Sequence, residues 1–229
     1  LALNKNVYWF AFAISVDVLA SGFIMMLMYN NDGGSKLRFS KVIAKDLFKK
    51  SQHFIWAGII ASIYARIDAI MLKKMIGEDS VGYYSIAYIL SGYWAFIIAA
   101  VIESARPAII NAKKTSHELF ARRNRQLYAL IIWLGVFVAL CYTIFAKPIV
   151  ITLYGTEYVP AIPVLQILGW YVIFSQLGVA RNIWIICENQ QRYIKFYSVI
   201  GALANIAMNF MLIPIIGIRG AAIATVITQ

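Results

Sequence analysis

Apolar residues fall into seven long blocks, at about 7 to 30, 53 to 76, 81 to 103, 127 to 146, 161 to 186, 193 to 213 and 217 onward, with short polar stretches between them. A helix rising ~1.5 Å per residue needs ~20 apolar residues to cross a ~30 Å hydrocarbon layer, and most of the blocks are that long. The pattern predicts an all-α, polytopic membrane helix bundle whose seventh span stops before it is complete. Pro160 and Pro163 suit the first turn of the fifth span, where a missing amide donor is harmless. Pro214 is expected to close the sixth span. Lys147-Pro148 is expected to lead into a short segment, Ile149 to Tyr158, lying along the outer interface.

After the first span, Asn30-Asn31-Asp32-Gly33-Gly34 reads as a turn. From Leu37 to Lys50, Leu37, Val42, Ile43, Leu47 and Phe48 alternate with lysines at helical spacing, as in a helix lying at a membrane surface. Three segments follow: a transmembrane helix over 1–30, a basic amphipathic cytoplasmic linker over 31–52, and a transmembrane unit over 53–229.

Composition agrees. The chain is 62% hydrophobic and 14% charged, against ~45–50% and ~25% in soluble domains. A net charge of +11 raises the question of nucleic acid, and the placement of the charges answers it. Lys36, Arg38, Lys41, Lys45, Lys49 and Lys50 lie in one inter-span stretch, and Arg106, Lys113, Lys114, Arg122, Arg123 and Arg125 in the loop 104–126. Arg192 and Lys195 lie in a third, so fourteen of the 21 basic residues sit on one side. That is the positive-inside distribution, with residue 1 outside, and no nucleic acid is needed to explain it. Cys141 and Cys187 have no His or Cys at ligand spacing, so neither a metal site, a disulfide framework nor a cofactor is expected. The start at Leu1 and the stop at Gln229 inside an apolar run predict a piece of a longer chain.

Ionisable residues inside spans cost several kcal/mol unless they face protein or water, which makes each a functional candidate. Arg66 and Asp68 lie near the middle of the second span. Helical spacing puts Arg66 on one face with Ser62 and Lys73, and Asp68 on another with Tyr64. One reading has the two charges meeting partners on neighbouring helices and fixing packing. The other has Arg66 lining a polar cavity for an anionic passenger, with Asp68 gating or positioning it. Asp17, in the first span, serves either packing or a lumen. Arg181 either snorkels to the cytoplasmic end of the fifth span, pairs with Glu188 seven residues on, or faces the lumen. Glu103 and Arg106, three apart, form an expected ion pair at the membrane edge, and Asn205 and Asn209 are placed to hydrogen-bond across helices.

Tyr64 to Met71 (YARIDAIM), Val81 to Ala87 (VGYYSIA), Tyr154 to Leu168 (YGTEYVPAIPVLQIL) and Asn209 to Thr225 (NFMLIPIIGIRGAAIAT) occur in that order and spacing. As an ordered set they resemble the second half of the polysaccharide-biosynthesis flippases, which translocate O-antigen or capsule repeat units and belong to the multidrug/oligosaccharidyl-lipid/polysaccharide exporter superfamily. The resemblance implies two six-helix lobes around a central cavity, in a bacterial cytoplasmic membrane. It places the first span here as the last helix of the first lobe, with most of the second lobe after it. It also implies a passenger, a polyprenyl-diphosphate-linked oligosaccharide moved across the bilayer by alternating access, driven by a coupling ion, H+ or Na+, or by the concentration gradient alone. Arg66 fits such a passenger, because guanidinium groups engage phosphate bidentately. Gly92 stands where family members often carry an acidic residue, which leaves Glu103 or Asp17 to substitute in any ion coupling. A drug or cation exporter of the same superfamily is the alternative transporter reading; its lumen would favour carboxylates. A membrane glycan polymerase or glycosyltransferase would need a catalytic loop, and 104–126 offers only His117 and Glu118.

Overall fold

The computed structural model describes residues 7–34, 40–190 and 192–229, and side chains over the same residues except 7, 8, 10, 11, 49–65, 192 and 195. The elements are α1 (Val7–Asn31), α2 (Lys41–Met75), α3 (Glu78–Gly92), α4 (Ala95–Thr115), α5 (His117–Tyr154), a single 3-10 turn (Thr156–Tyr158), α6 (Ala161–Cys187), α7 (Arg192–Ile216) and α8 (Ile218–Thr228). Five helical stretches among the described residues are long and apolar enough to cross a membrane. The protein is an all-α, multi-pass membrane bundle.

The chain forms two compact units, residues 1–52 and 53–229. In the first, α1 exposes Leu19, Phe23 and Met25, and Asp17 is exposed among them. The expected interfacial helix from Leu37 begins outside the described residues; the described helix starts at Lys41.

In the second unit α6 is the central element, packed against α3, α4, α5 and α8. One core cluster joins Leu72, Tyr84, Leu90, Tyr142, Leu165, Leu168 and Ala221; a second joins Ile98, Ile102, Phe120, Leu127, Ile131, Val172 and Ile183. In lipid such helices gain little by hiding apolar surface, so association depends on close packing and interhelical hydrogen bonds. Gly220 shows the closeness. A Cβ there would lie 2.6 Å from the Leu212 carbonyl carbon and oxygen, so α8 can meet the backbone of α7 only through glycine. Gly217, at φ 64°, makes the turn between the two helices in a backbone region other residues rarely adopt.

The chain departs from the sequence reading at its polar segments. The expected loop 104–126 is helix throughout except Ser116. Most of its charges ride on exposed faces, with Arg106 and Lys113 half-buried, while Ile109, Ala112, Phe120 and Leu127 are buried, so the amphipathic period continues past the apolar block. Ser116 ends α4 and caps α5, its hydroxyl accepting from the Leu119 amide at 3.1 Å. The segment after Pro148 does not lie along the interface: α5 continues to Tyr154, with Val150 buried. Nor does Pro214 stop α7, which runs on to Ile216. Proline is tolerated inside membrane helices because neighbours re-satisfy the freed carbonyl. Pro160, by contrast, stands at the start of α6 with Pro163 in its first turn, as its chemistry requires.

Candidate functional site

Four helices bring polar groups together inside the second unit, around a carboxylate. Asp68 on α2 is 6% exposed. Its Oδ2 accepts from the Tyr84 hydroxyl on α3 at 2.7 Å and from the Thr225 hydroxyl on α8 at 2.6 Å. Its Oδ1 accepts from the Asn209 amide on α7 at 2.6 Å. Every donor is neutral, and among the described residues no cation pairs with Asp68. The network extends outward: Asn209 Nδ2 also reaches Asn205 Oδ1 at 3.0 Å, and Asn205 Nδ2 reaches Thr228 at 3.3 Å. Because Asn209 Nδ2 faces two acceptors, its amide orientation is fixed by its surroundings. Its Oδ1 then points away from both, buried and without a donor among the described residues.

The local sequence explains the convergence. Asn205 and Asn209 are one helical turn apart and share a face of α7, and Ala221, Ala222 and Ala224 keep α8 thin enough for Thr225 to approach α2. Tyr84 is held within the main core, stacked on Tyr88 with ring centroids 6.3 Å apart. A carboxylate holding three neutral donors is chemically two-state. Ionised, it accepts all three; protonated, it has a hydrogen to give and one donor must turn away.

The structure separates the remaining candidates. Arg66 is exposed and makes no ion pair among the described residues, so helical phase does set it apart from Asp68. Lys73, seven residues from Arg66 on α2 and likewise exposed, pairs with Glu78 across the Gly77 turn at 2.7 Å. Ser62 and Tyr64 lie outside the residues whose side chains are described; among those that are, Tyr84, from another helix, brings a phenol to Asp68. Arg181 does not pair with Glu188. That carboxylate is taken by Lys113 at the end of α4, and the Arg181 guanidinium lies over the Tyr197 ring, 5.3 Å from its centroid. Asp17 belongs to the first unit and is exposed. The expected pair of Glu103 and Arg106 is present at 2.5 Å.

Neither the hydroxyl of Tyr84 nor that of Thr225 is identified from the sequence as a partner of Asp68. Their signal is weak but real, since a hydroxyl in an apolar span seeks a partner; which partner it finds depends on helix order.

Comparison with known proteins adds identity to this geometry. The chain is 26% identical over 204 residues to the capsular polysaccharide biosynthesis protein CapF of Staphylococcus aureus, covering 85% of this chain and 50% of that protein. It is 27% identical over 233 aligned residues to the uncharacterized membrane protein MJ1068 of Methanocaldococcus jannaschii, covering 94% of this chain and 45% of that one. The chain therefore spans about half the length of the curated relatives it matches. No solved structure matches it. A family model described as "Polysaccharide biosynthesis protein" matches residues 1–163, more than half of the sequence, and the chain, a multi-pass membrane protein with a buried polar centre, belongs to that family.

Proposed function

We propose that this chain is part of a flippase that moves polyprenyl-diphosphate-linked oligosaccharide units across the bacterial cytoplasmic membrane by alternating access, with the second unit carrying the coupling group. The observation that supports this most is Asp68: a carboxylate inside a membrane bundle, joined to α3, α7 and α8 by neutral donors only. A structural carboxylate at that depth gains most from a cationic partner, whereas one that binds and releases a cation gains from having none. A proton or Na+ is the ion proposed. Arrival of either beside Asp68 changes which donors it holds, and therefore how α3, α7 and α8 pack on α2. Asn209 Oδ1 is a further acceptor beside the carboxylate. Arg66, on a different face of the same helix and without an ion pair among the described residues, supplies a guanidinium for the passenger's diphosphate. In this reading no covalent bond is made or broken.

The test uses the full-length protein in cells lacking their own repeat-unit flippase, with surface glycan and accumulated lipid-linked precursor measured at matched membrane expression. Wild type restores surface glycan; Arg66→Ala accumulates precursor, and Arg66→Lys recovers part of the export. Equal export by all three removes Arg66 from the passenger's path. Failure of wild type with a range of cognate glycans removes the flippase reading.

A further inference from the structure

Away from Asp68, at the end of the second unit where α4, α6 and α7 carry Lys113, Glu188 and Tyr193, the structure holds a cavity of about 360 Å³ between α6 and α7. Arg181, Trp184, Ile185, Gln190, Tyr193 and Tyr197 line it. We infer that this cleft is a binding site for the phosphate group of a membrane lipid, with Arg181 as its anion-binding residue.

The argument begins with what Arg181 lacks. It lies six residues before the end of α6, ~9 Å along the axis, and no carboxylate pairs with it among the described residues. Glu188, the acid placed to neutralise it, is held by Lys113. A guanidinium at that depth needs an anion or an electron-rich surface, and the Tyr197 ring, its centroid 5.3 Å away, supplies the second. That contact leaves the N–H edges of the guanidinium for another acceptor. A phosphate fits, because its oxygens match the guanidinium fork bidentately and its charge compensates the one left over.

The walls describe the rest of the ligand. Trp184 on α6 and Tyr193 on α7 combine an apolar ring with a polar edge, the chemistry found where acyl chains meet headgroups. The hairpin that joins α6 to α7 turns through Asn189, at φ 54°, and the Gln190 amide closes it on the Ile185 carbonyl at 2.9 Å. The lysines and arginines of α4 and α5 mark this end as cytoplasmic, so the lipid would come from the inner leaflet. Two sources share the chemistry: an anionic phospholipid, and a polyprenyl diphosphate carrier. The site stands whether or not the protein transports the second.

The test is equilibrium binding to the delipidated full-length protein, read by native mass spectrometry, so that transport plays no part in the result. The probes are dioleoylphosphatidylglycerol and farnesyl diphosphate, each set against its phosphate-free counterpart, dioleoylglycerol and farnesol. Arg181→Gln is expected to weaken a phosphate-bearing probe by about tenfold or more while leaving the phosphate-free pair within twofold. Arg181→Lys is expected to recover part of the loss, and Tyr197→Leu, which removes the platform but not the charge, to weaken binding less than Arg181→Gln. Loss confined to phosphatidylglycerol assigns the site to phospholipid; loss confined to farnesyl diphosphate assigns it to the carrier. If Arg181→Gln and Tyr197→Leu both hold both phosphate probes within twofold of wild type, or lose the phosphate-free lipids equally, the inference is overturned. A monodisperse elution profile with unchanged melting is required of each variant; should Arg181→Gln fail it, Tyr197→Leu decides.

Discussion

Asp68→Asn separates a carboxylate kept for function from one kept for the fold. The structure allows the stability change to be bounded. Each donor on Asp68 already has a second acceptor: Thr225 lies 2.9 Å from the Ala221 carbonyl, Tyr84 lies 3.0 Å from Thr225, and Asn209 lies 3.0 Å from Asn205 Oδ1. The substituted amide still offers an oxygen to the two hydroxyls. Its nitrogen faces Asn209 Nδ2, donor to donor, so either that bond is lost or Asn209 turns its unpartnered Oδ1 inward and gives up the one to Asn205. Two charge-assisted bonds become neutral and one is lost or exchanged, about 1 kcal/mol each. Against this stands the relief of a buried, unpaired carboxylate, worth several kcal/mol before relaxation. The two effects nearly cancel, and the expected net change is within about 2 kcal/mol of zero, or less than ~8 °C in melting temperature. Export should nonetheless be lost. The assay is paired: melting of the purified full-length variant, and surface glycan from cells at matched expression. A variant destabilised by more than about 4 kcal/mol would mean that Asp68 is a packing residue and the cancellation argument is wrong. A stable variant that exports like wild type would show that no ion needs the charge.

Four further outcomes follow from the same geometry. Gly220→Ala places a methyl 2.6 Å from the Leu212 backbone, which cannot yield as a side chain would, and should cost about 1–3 kcal/mol in a melting assay together with export. Lys73→Gln removes only an exposed pair with Glu78, so surface glycan should stay within twofold of wild type; a large loss would return Lys73 to the passenger's path. A double-mutant cycle of Lys113→Ala and Glu188→Ala should give a coupling of about 0.5–1 kcal/mol in denaturation, because the pair is half-buried and joins α4 to α6. Ser116→Ala deletes the cap of α5 and should lower stability by about 1 kcal/mol, with faster proteolysis at the α4–α5 junction.

What the sequence discloses about this molecule depends on range. The spans of α1 and α6 follow from apolar length, and the start of α6 from Pro160 and Pro163, because those signals are local. The depth of Asp68 is also local, and it was enough to single the residue out. Its partners are not: Tyr84 is 16 positions away, Asn209 is 141 and Thr225 is 157, and nothing in a one-dimensional pattern specifies that α3, α7 and α8 meet α2 at one level. The same limit explains Glu188. At seven residues it suited Arg181, but Lys113, 75 positions upstream, reaches it when α4 and α6 end together. The segment 104–126 departs from its loop reading for another reason. Density of charge reads as loop, whereas the buried Ile109, Ala112, Phe120 and Leu127 beneath it keep the helical period.

The glycine at the head of α8 acts as a gauge for chemistry further along. Gly220 precedes Thr225 by five residues, ~7.5 Å of helix, and the missing side chain at the first sets how near the second can come to Asp68. The reach of a 2.6 Å hydrogen bond is thus governed by the thickness of a contact that involves none of its atoms. Alterations between Gly217 and Gly220 should therefore register in the hydrogen bond from Thr225 to Asp68 as well as in stability.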